Sequence, residues 1–297
     1  YFLMIGANPV ASNGSIWTVP DVRKRIKSLT ERGGQLVVID PRRTETAELA
    51  TEHHAARPGT DAALLLALIH LLFRDGLIDL GHLSDFVDGI DDIKKAVVSY
   101  TPEWAASHTG MSSEKITQIA HNFSNADRAI CYGRMGVSTQ RFGTLCQWAI
   151  QVINVLTGNL DREGGSLFTL PAVDQVLGVS PGGFGRHASR VRQLPEFDRE
   201  LPVACLAEEI TTPGEGKIRA LFTGAGNPVL STPAGDALDD ALEDLEFMIS
   251  LDPWINETTR HADVILPPTS PLEHDHYDLA FHVNAMRNTA RFSDAVF

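Results

Sequence analysis

Phe2-Leu3-Met4-Ile5-Gly6-Ala7-Asn8-Pro9-Val10-Ala11-Ser12 runs from an apolar segment into a Gly-x-Asn-Pro turn. Leu221-Phe222-Thr223-Gly224-Ala225-Gly226-Asn227-Pro228-Val229-Leu230-Ser231 says nearly the same thing far downstream. Each copy leads into an expected helix and then a second apolar run ending in Asp-Pro. These runs are Leu36-Val37-Val38-Ile39-Asp40-Pro41 and Phe247-Met248-Ile249-Ser250-Leu251-Asp252-Pro253. Strand, turn, helix, strand and acid, laid down twice, is the pattern of a βαβ unit with a parallel sheet. The repeat predicts two places that hold nucleotide-like groups, for one large ligand with two similar ends or for two copies of one ligand.

Working outward, Val22, Ile26 and Leu29 recur at helical spacing within Val19–Arg32, and Gly33-Gly34 closes that helix. A helix through Phe73 follows Arg57-Pro58-Gly59-Thr60-Asp61, with Thr60 or Asp61 placed to cap it. Ser112 or Ser113 caps a helix carrying Ile116, Ile119, Ala120 and Phe123; Ala129–Tyr132 reads as a short strand and Gly143–Leu156 as an apolar helix. Residues 1–170 are thus expected to form one complete α/β domain that cradles a nucleotide-like group. Residues 171–216, rich in Gly, Pro and Arg, read as a connecting loop. Residues 217–297 begin a second alternation, with strands at Ile218–Thr223, Phe247–Leu251 and Val264–Leu266 and a helix at Ala234–Leu245. The expected fold class is α/β: two Rossmann-like αβα domains with mainly parallel sheets, the second incomplete.

In an open parallel sheet, ligands sit at the carboxyl ends of strands. Gly6 and Gly224 lie at such ends, where glycine allows positive φ and close backbone approach to phosphate. Asn8 and Asn227 offer a side-chain amide. Ser12 and Ser231 lie near helix starts, where free N–H groups attract anions. Asp40 and Asp252 end the next strand, where an acid accepts two hydrogen bonds from a ribose diol or a guanine edge. Neither copy is G-x-G-x-x-G, so NAD is not favoured. Arg42 and Arg43 follow Asp40 as phosphate contacts or solvated arginines, and Thr44 and Thr46 as helix caps or phosphate contacts.

The 297 residues suffice for about two domains. A net charge of −13 argues against a nucleic-acid surface and against adhesion to anionic membrane. No apolar run reaches the roughly 18 residues of a membrane span. The three cysteines, Cys131, Cys146 and Cys205, lie too far apart for a Cys-x-x-Cys motif and read as reduced core thiols. A cytoplasmic location is expected, or a periplasmic one with an upstream export signal. The chain opens inside a strand without Met, and residues are expected upstream.

Six segments occur in one order: Gly6-Ala7-Asn8-Pro9, Val38-Ile39-Asp40-Pro41-Arg42-Arg43-Thr44-Glu45-Thr46-Ala47, Arg57-Pro58-Gly59-Thr60-Asp61, Leu156-Thr157-Gly158-Asn159, Gly224-Ala225-Gly226-Asn227-Pro228 and Ala262-Asp263-Val264-Ile265-Leu266-Pro267. This set resembles the molybdopterin oxidoreductases of the dimethyl-sulfoxide-reductase superfamily, which includes formate dehydrogenases and periplasmic or assimilatory nitrate reductases. The resemblance covers almost the whole chain. It implies molybdenum or tungsten held by two molybdopterin guanine dinucleotides, one per α/β domain. By matching motifs, the first site would use Gly6, Asn8, Ser12, Asp40, Arg42, Thr44, Gly59 and Asp61, with Met135-Gly136 and Thr139 lining the pterin. The second would use Asn227, Leu251, Asp252 and His274. Many relatives carry a lysine or a Glu-Gly pair near Glu273-His274-Asp275-His276, so the sequence departs there.

The resemblance also implies parts not found here: an N-terminal domain with a four-cysteine 4Fe–4S motif, the metal-ligating residue, and a C-terminal domain that completes the pterin sites. The chain then reads as a central fragment, inactive alone, of an enzyme for two-electron redox or oxygen-atom transfer on a small substrate. Its expected partners are that substrate, the rest of the polypeptide and an electron-transfer subunit. No metal ligand is expected within the chain. His274 and His276 read as hydrogen-bonded loop histidines, and His53-His54 as a connecting loop. Arg186 and Arg190 are the weak candidates for orienting an anionic substrate. Two other readings remain: a cofactor-free structural or electron-wiring relative of the kind found in respiratory complex I, and the nucleotide domain of a thiamine-diphosphate enzyme, which predicts adenine recognition.

Overall fold

The computed structural model describes residues 1–12, 19–169, 173, 183–278 and 290–297. Most of 170–182, and His282, lie outside the described residues. Near residue 171 the chain divides into two compact units.

In the first unit, β1 (Phe2–Ile5), α1 (Val22–Glu31), β2 (Leu36–Ile39), β3 (Glu52–His54), α2 (Asp61–Arg74), α3 (Ile90–Ala96), α4 (Pro102–Thr109), α5 (Ser113–Ser124), β4 (Ile130–Gly133), α6 (Met135–Ser138) and α7 (Gly143–Leu156) follow one another. The four strands pair in parallel in the order β3-β2-β1-β4. Every residue of β2 is buried, because a parallel strand with helices on both faces must be apolar throughout. Side chains alternate between the faces. Leu3, Ile5, Val37 and Ile39 pack with α2, α5 and α7, whereas Met4, Leu36 and Val38 pack with Val22 and Ile26 of α1. His53 and His54 belong to β3 rather than to a loop, since their backbone pairs with Val38 and Ile39.

Local chemistry sets the element ends. Asp21 accepts from Lys24 N, Thr101 from Trp104 N and Ser112 from Lys115 N, each at the head of its helix. Thr60 does not cap α2 as expected. Its hydroxyl donates to the Arg57 carbonyl at 2.6 Å, and Asp61 accepts from Gln140 instead. The outer edge of β4 is sealed by side chains. Fully buried Asn154 accepts from Cys131 N at 2.8 Å and donates to Cys131 O at 2.9 Å, and Asn159 accepts from Ala129 N at 3.2 Å.

The second unit opens with a hairpin, β5 (Phe184–Ala188) and β6 (Pro195–Phe197), then α8 (Leu206–Thr211). The expected loop over 171–216 is therefore structured in its described part. Charge pairing rather than apolar periodicity holds it, which is why the sequence pattern misses it. Then come β7 (Ala220–Gly224), α9 (Pro228–Ser231), α10 (Gly235–Leu242), β8 (Phe247–Leu251) and β9 (Val264–Ile265). These strands make a three-stranded parallel sheet, β7-β8-β9. Met248 packs on Ile210, Leu238, Ala241 and Leu242 from one side. A short antiparallel pair, β10 (His276–Tyr277) and β11 (Phe292–Ser293), stands apart. No helix among the described residues is long and apolar enough to cross a membrane.

Candidate functional site

In the first sheet β2 lies on one side of β1 and β4 on the other. The chain switches direction between β1 and β4, and the crevice at their carboxyl ends is the place where such sheets take ligands. Gly6 follows β1 with φ +57. A Cβ at Gly6 would meet Val137 N at 2.8 Å, and a Cβ at Gly136 would meet Gly6 Cα at 2.7 Å. Gly136 N donates to Gly6 O at 3.0 Å. Backbone therefore touches backbone at this tip, and both positions require glycine. Met135 and Thr139 are exposed beside it. Gln140 Nε2 donates to Asp61 Oδ2 at 2.8 Å and to Gly136 O at 3.3 Å, tying the start of α2 to the tip. The other amide atom, Gln140 Oε1, is buried without a protein partner.

Asn8 joins the loop after β1 to the loop after β2. Its Oδ1 accepts from Thr46 Oγ1 at 2.8 Å and from Thr46 N at 3.3 Å; its Nδ2 donates to Glu45 Oε2 at 2.8 Å. Thr46 Oγ1 in turn accepts from Val10 N at 3.1 Å. The second unit repeats this arrangement. Asn227 Oδ1 accepts from Thr258 Oγ1 at 2.7 Å, its Nδ2 donates to Glu257 Oε2 at 2.7 Å, and Thr258 Oγ1 accepts from Val229 N at 3.1 Å. Asp40 Oδ1 accepts from Arg42 N at 2.9 Å, as Asp252 Oδ1 does from Trp254 N at 2.8 Å. Even the sheet register matches, Val37 against Glu52 and Ile249 against Val264. The hydrogen bonds from Asn8 and Asn227 hold the Glu45 and Glu257 carboxyls below the usual carboxylate range, so each pin contains an ionised acid.

The sequence reading assigned both asparagines to a ligand; the structure spends most of their hydrogen-bonding capacity on the pin. Glu45, Glu257 and Thr258 were missed, and Thr46, expected as a helix cap or phosphate contact, belongs to the pin instead. Asp-Pro-x-x-x-Glu-Thr at 40–46 and 252–258 is the signal that would have found them. Gly224 is not the counterpart of Gly6. Ala225 is, with φ +51 and its N–H on Leu251 O, as Gly6 N–H is on Ile39 O.

The other expected residues fall as follows. Thr44 is buried and caps the next turn, accepting from Ala47 N at 3.1 Å. Ser12 is exposed, with its Oγ toward Asn8 O. Gly59, at φ +78, turns the chain into α2 with open space around it. Arg42 is 66% exposed and lies 3.6 Å from Glu45. Leu251 ends β8, and Asp252 is buried beside it. His274 lies in an exposed loop with its Nδ1 on Asp275 O, and nothing ties it to Asp252 among the described residues.

Arg186 and Arg190, the weak candidates for orienting substrate, are engaged as struts. Arg186 forms an ion pair with buried Glu196 at 2.7 Å. Arg190 Nη2 donates to Thr212 O at 2.7 Å and Arg190 Nε faces Glu209 at 3.4 Å. Cys205, Glu208 and Glu209 bring three ligand atoms together, but Arg192 and Arg190 already engage the two carboxylates. Burial raises the Cys131 and Cys146 thiols, the latter to about 11, so neither offers a thiolate.

The family model described as molybdopterin oxidoreductase matches residues 1–297. The chain is 28% identical over 284 residues to the F420-dependent formate dehydrogenase subunit alpha of Methanocaldococcus jannaschii, covering 92% of this chain and 41% of that protein. It is 29% identical to formate dehydrogenase H of Escherichia coli, with 92% and 39% covered. To the assimilatory nitrate reductase catalytic subunit of Bacillus subtilis it is 26% identical, with 86% and 38% covered. The chain thus spans about two fifths of the length of these relatives. The acetylene hydratase of Pelobacter acetylenicus shares the fold at a TM-score of 0.73 and 20% identity, over 99% of this chain and 44% of that one. Matched along its full length by the family model, and carrying one strand-tip pin built twice, the chain belongs to the molybdopterin oxidoreductases.

Proposed function

We propose that this chain cradles the two guanine dinucleotide ends of a bis-molybdopterin cofactor bearing molybdenum or tungsten, inside a larger oxidoreductase that acts on a small substrate. The observation that carries the reading is the duplicated pin, which fixes two like strand tips for two like ligand ends. The residues present suit the group. Glycines at 6 and 136 pack the turn after β1 directly on the start of α6, which sets Met135 and Thr139 at the strand tip, and the buried Gln140 Oε1 waits for an N–H donor, which a pterin or guanine supplies.

Gly6, Ser12, Arg42, Gly59, Asp61, Met135 and Thr139 would line the first crevice, with Asp40 accepting from the nucleotide. In this reading Leu251 and Asp252 serve the second, and Asn8 and Asn227 act through the pins they hold. When bound, the metal supplies two-electron redox or oxygen-atom transfer. The chain's own residues bind and orient the nucleotide arms that aim it. The 4Fe–4S cluster, the metal ligand and contacts to an electron-transfer subunit would belong to the remainder of the full-length protein. The thiamine-diphosphate expectation is overturned by the family match over residues 1–297.

The test is metal and nucleotide analysis of the full-length protein. About two guanosine equivalents per metal are expected. Asp40→Ala combined with Asp252→Ala should strip both from a protein that still folds. Full retention in that variant contradicts the assignment of these acids, and a wild-type protein without guanosine favours the cofactor-free relative.

A further inference from the structure

The two tips share a frame but not a surface. After each acid the chain reads Pro41-Arg42-Arg43-Thr44-Glu45-Thr46 in one copy and Pro253-Trp254-Ile255-Asn256-Glu257-Thr258 in the other. Because Arg42 N and Trp254 N make the same bond to the preceding carboxylate, their side chains leave from equivalent points. The first tip therefore presents two exposed guanidiniums. The second presents an indole that is 74% exposed and an isoleucine that is 79% exposed. The nearest cation in sequence there, Arg260, is paired with Asp239, and the loop itself carries Asp252 and Glu257. An acidic tip with an uncovered aromatic ring is poorly suited to a diphosphate and well suited to the flat face of a base. The first tip carries the equivalent acids Asp40 and Glu45 but matches them with two exposed guanidiniums, Arg42 lying 3.6 Å from Glu45, and is the reverse.

We propose that the two crevices recognise different parts of the same nucleotide: the first grips the diphosphate through Arg42 and Arg43, and the second stacks the purine on Trp254 with Ile255 beside it. This rests on the proposed nucleotide-cradling role. It makes one site sensitive to salt and the other not, since screening weakens exposed charge contacts and leaves stacking nearly untouched.

The test is calorimetric titration of cofactor-free full-length protein with guanosine diphosphate at low and high salt. Two binding events are expected, and one should weaken several-fold as salt rises. Arg42→Ala with Arg43→Ala should remove that event alone. Trp254→Ala should weaken the salt-insensitive event at least about tenfold, with Trp254→Phe restoring most of it. Unchanged melting temperatures would show that neither variant is merely unfolded. Two identical salt-dependent sites, or a silent Trp254→Ala, would overturn the proposal while leaving the cradle intact. Failure of guanosine diphosphate to bind the wild-type protein at all would overturn the nucleotide reading itself.

Discussion

Ala225 holds φ +51, the left-handed conformation that Gly6 holds at +57 in the other unit. An L-residue with a Cβ is strained there by about 1–2 kcal/mol, and part of that is offset by the lower entropy of an alanine-containing unfolded chain. Ala225→Gly should therefore stabilise the protein by up to about 1 kcal/mol, read as a higher denaturant midpoint at unchanged slope. The reciprocal change, Gly6→Ala, should cost more than about 2 kcal/mol, because its Cβ would also stand 2.8 Å from Val137 N. Equal and small effects at both positions would refute the equivalence of the two turns. The difference has a steric cause. Gly6 abuts the Gly136 segment, whereas Ala225 is exposed and already carries its Cβ.

At the level of elements, Asp75 fastens the end of α2 to α5. It accepts from Arg74 Nε at 2.6 Å and from His121 Nε2 at 2.8 Å. The Arg74 hydrogen bond is the main reason its carboxyl falls from the ordinary 3.8 to about 2, with His121 adding and burial opposing. A folded pKa below the unfolded one gives stability that is present above about 3.8 and is lost as pH falls toward 2. Asp75→Asn should therefore lower the melting temperature at neutral pH and flatten the acid limb of the stability curve across that window. An acid limb that keeps its slope in the variant would show the clamp to be idle. His121 and Arg74 also line a surface hollow with Glu103 and Glu114, but both already donate to Asp75.

Across the molecule, three core clusters of unequal size sit in two compact units, two of them on the opposite faces of the first sheet. The first sheet has helices on both faces, and β2 is wholly buried. In the second, Phe222 is 61% exposed and Leu251 and Val264 more than a third exposed. Uneven burial predicts uneven opening. In this chain, amide hydrogens of β1, β2 and α2 should exchange far more slowly than those of β7 and β8, and heating should give two transitions rather than one. A single transition with uniform protection would argue that the units melt together. Binding of the dinucleotide arms would be expected to narrow the gap, since a ligand that binds only folded protein adds to its stability.

The alternation of strand and helix, the burial of Leu36–Ile39 and the helix Gly143–Leu156 follow from the amino-acid sequence alone, because apolar periodicity and glycine punctuation are local properties. The repeated Gly-x-Asn-Pro and Asp-Pro turns were visible for the same reason. What the asparagines do was not visible. Asn8 meets Thr46, and Asn227 meets Thr258, only because parallel pairing of β1 with β2 and of β7 with β8 brings the two following loops to one edge. The fate of Arg186 and Arg190 likewise depended on buried carboxylates ten and nineteen residues away. Periodicity fixes which faces are apolar. Which polar side chain satisfies which is decided by the packed sheet, since a hydrogen bond needs atoms within about 3 Å and only the folded chain supplies that distance.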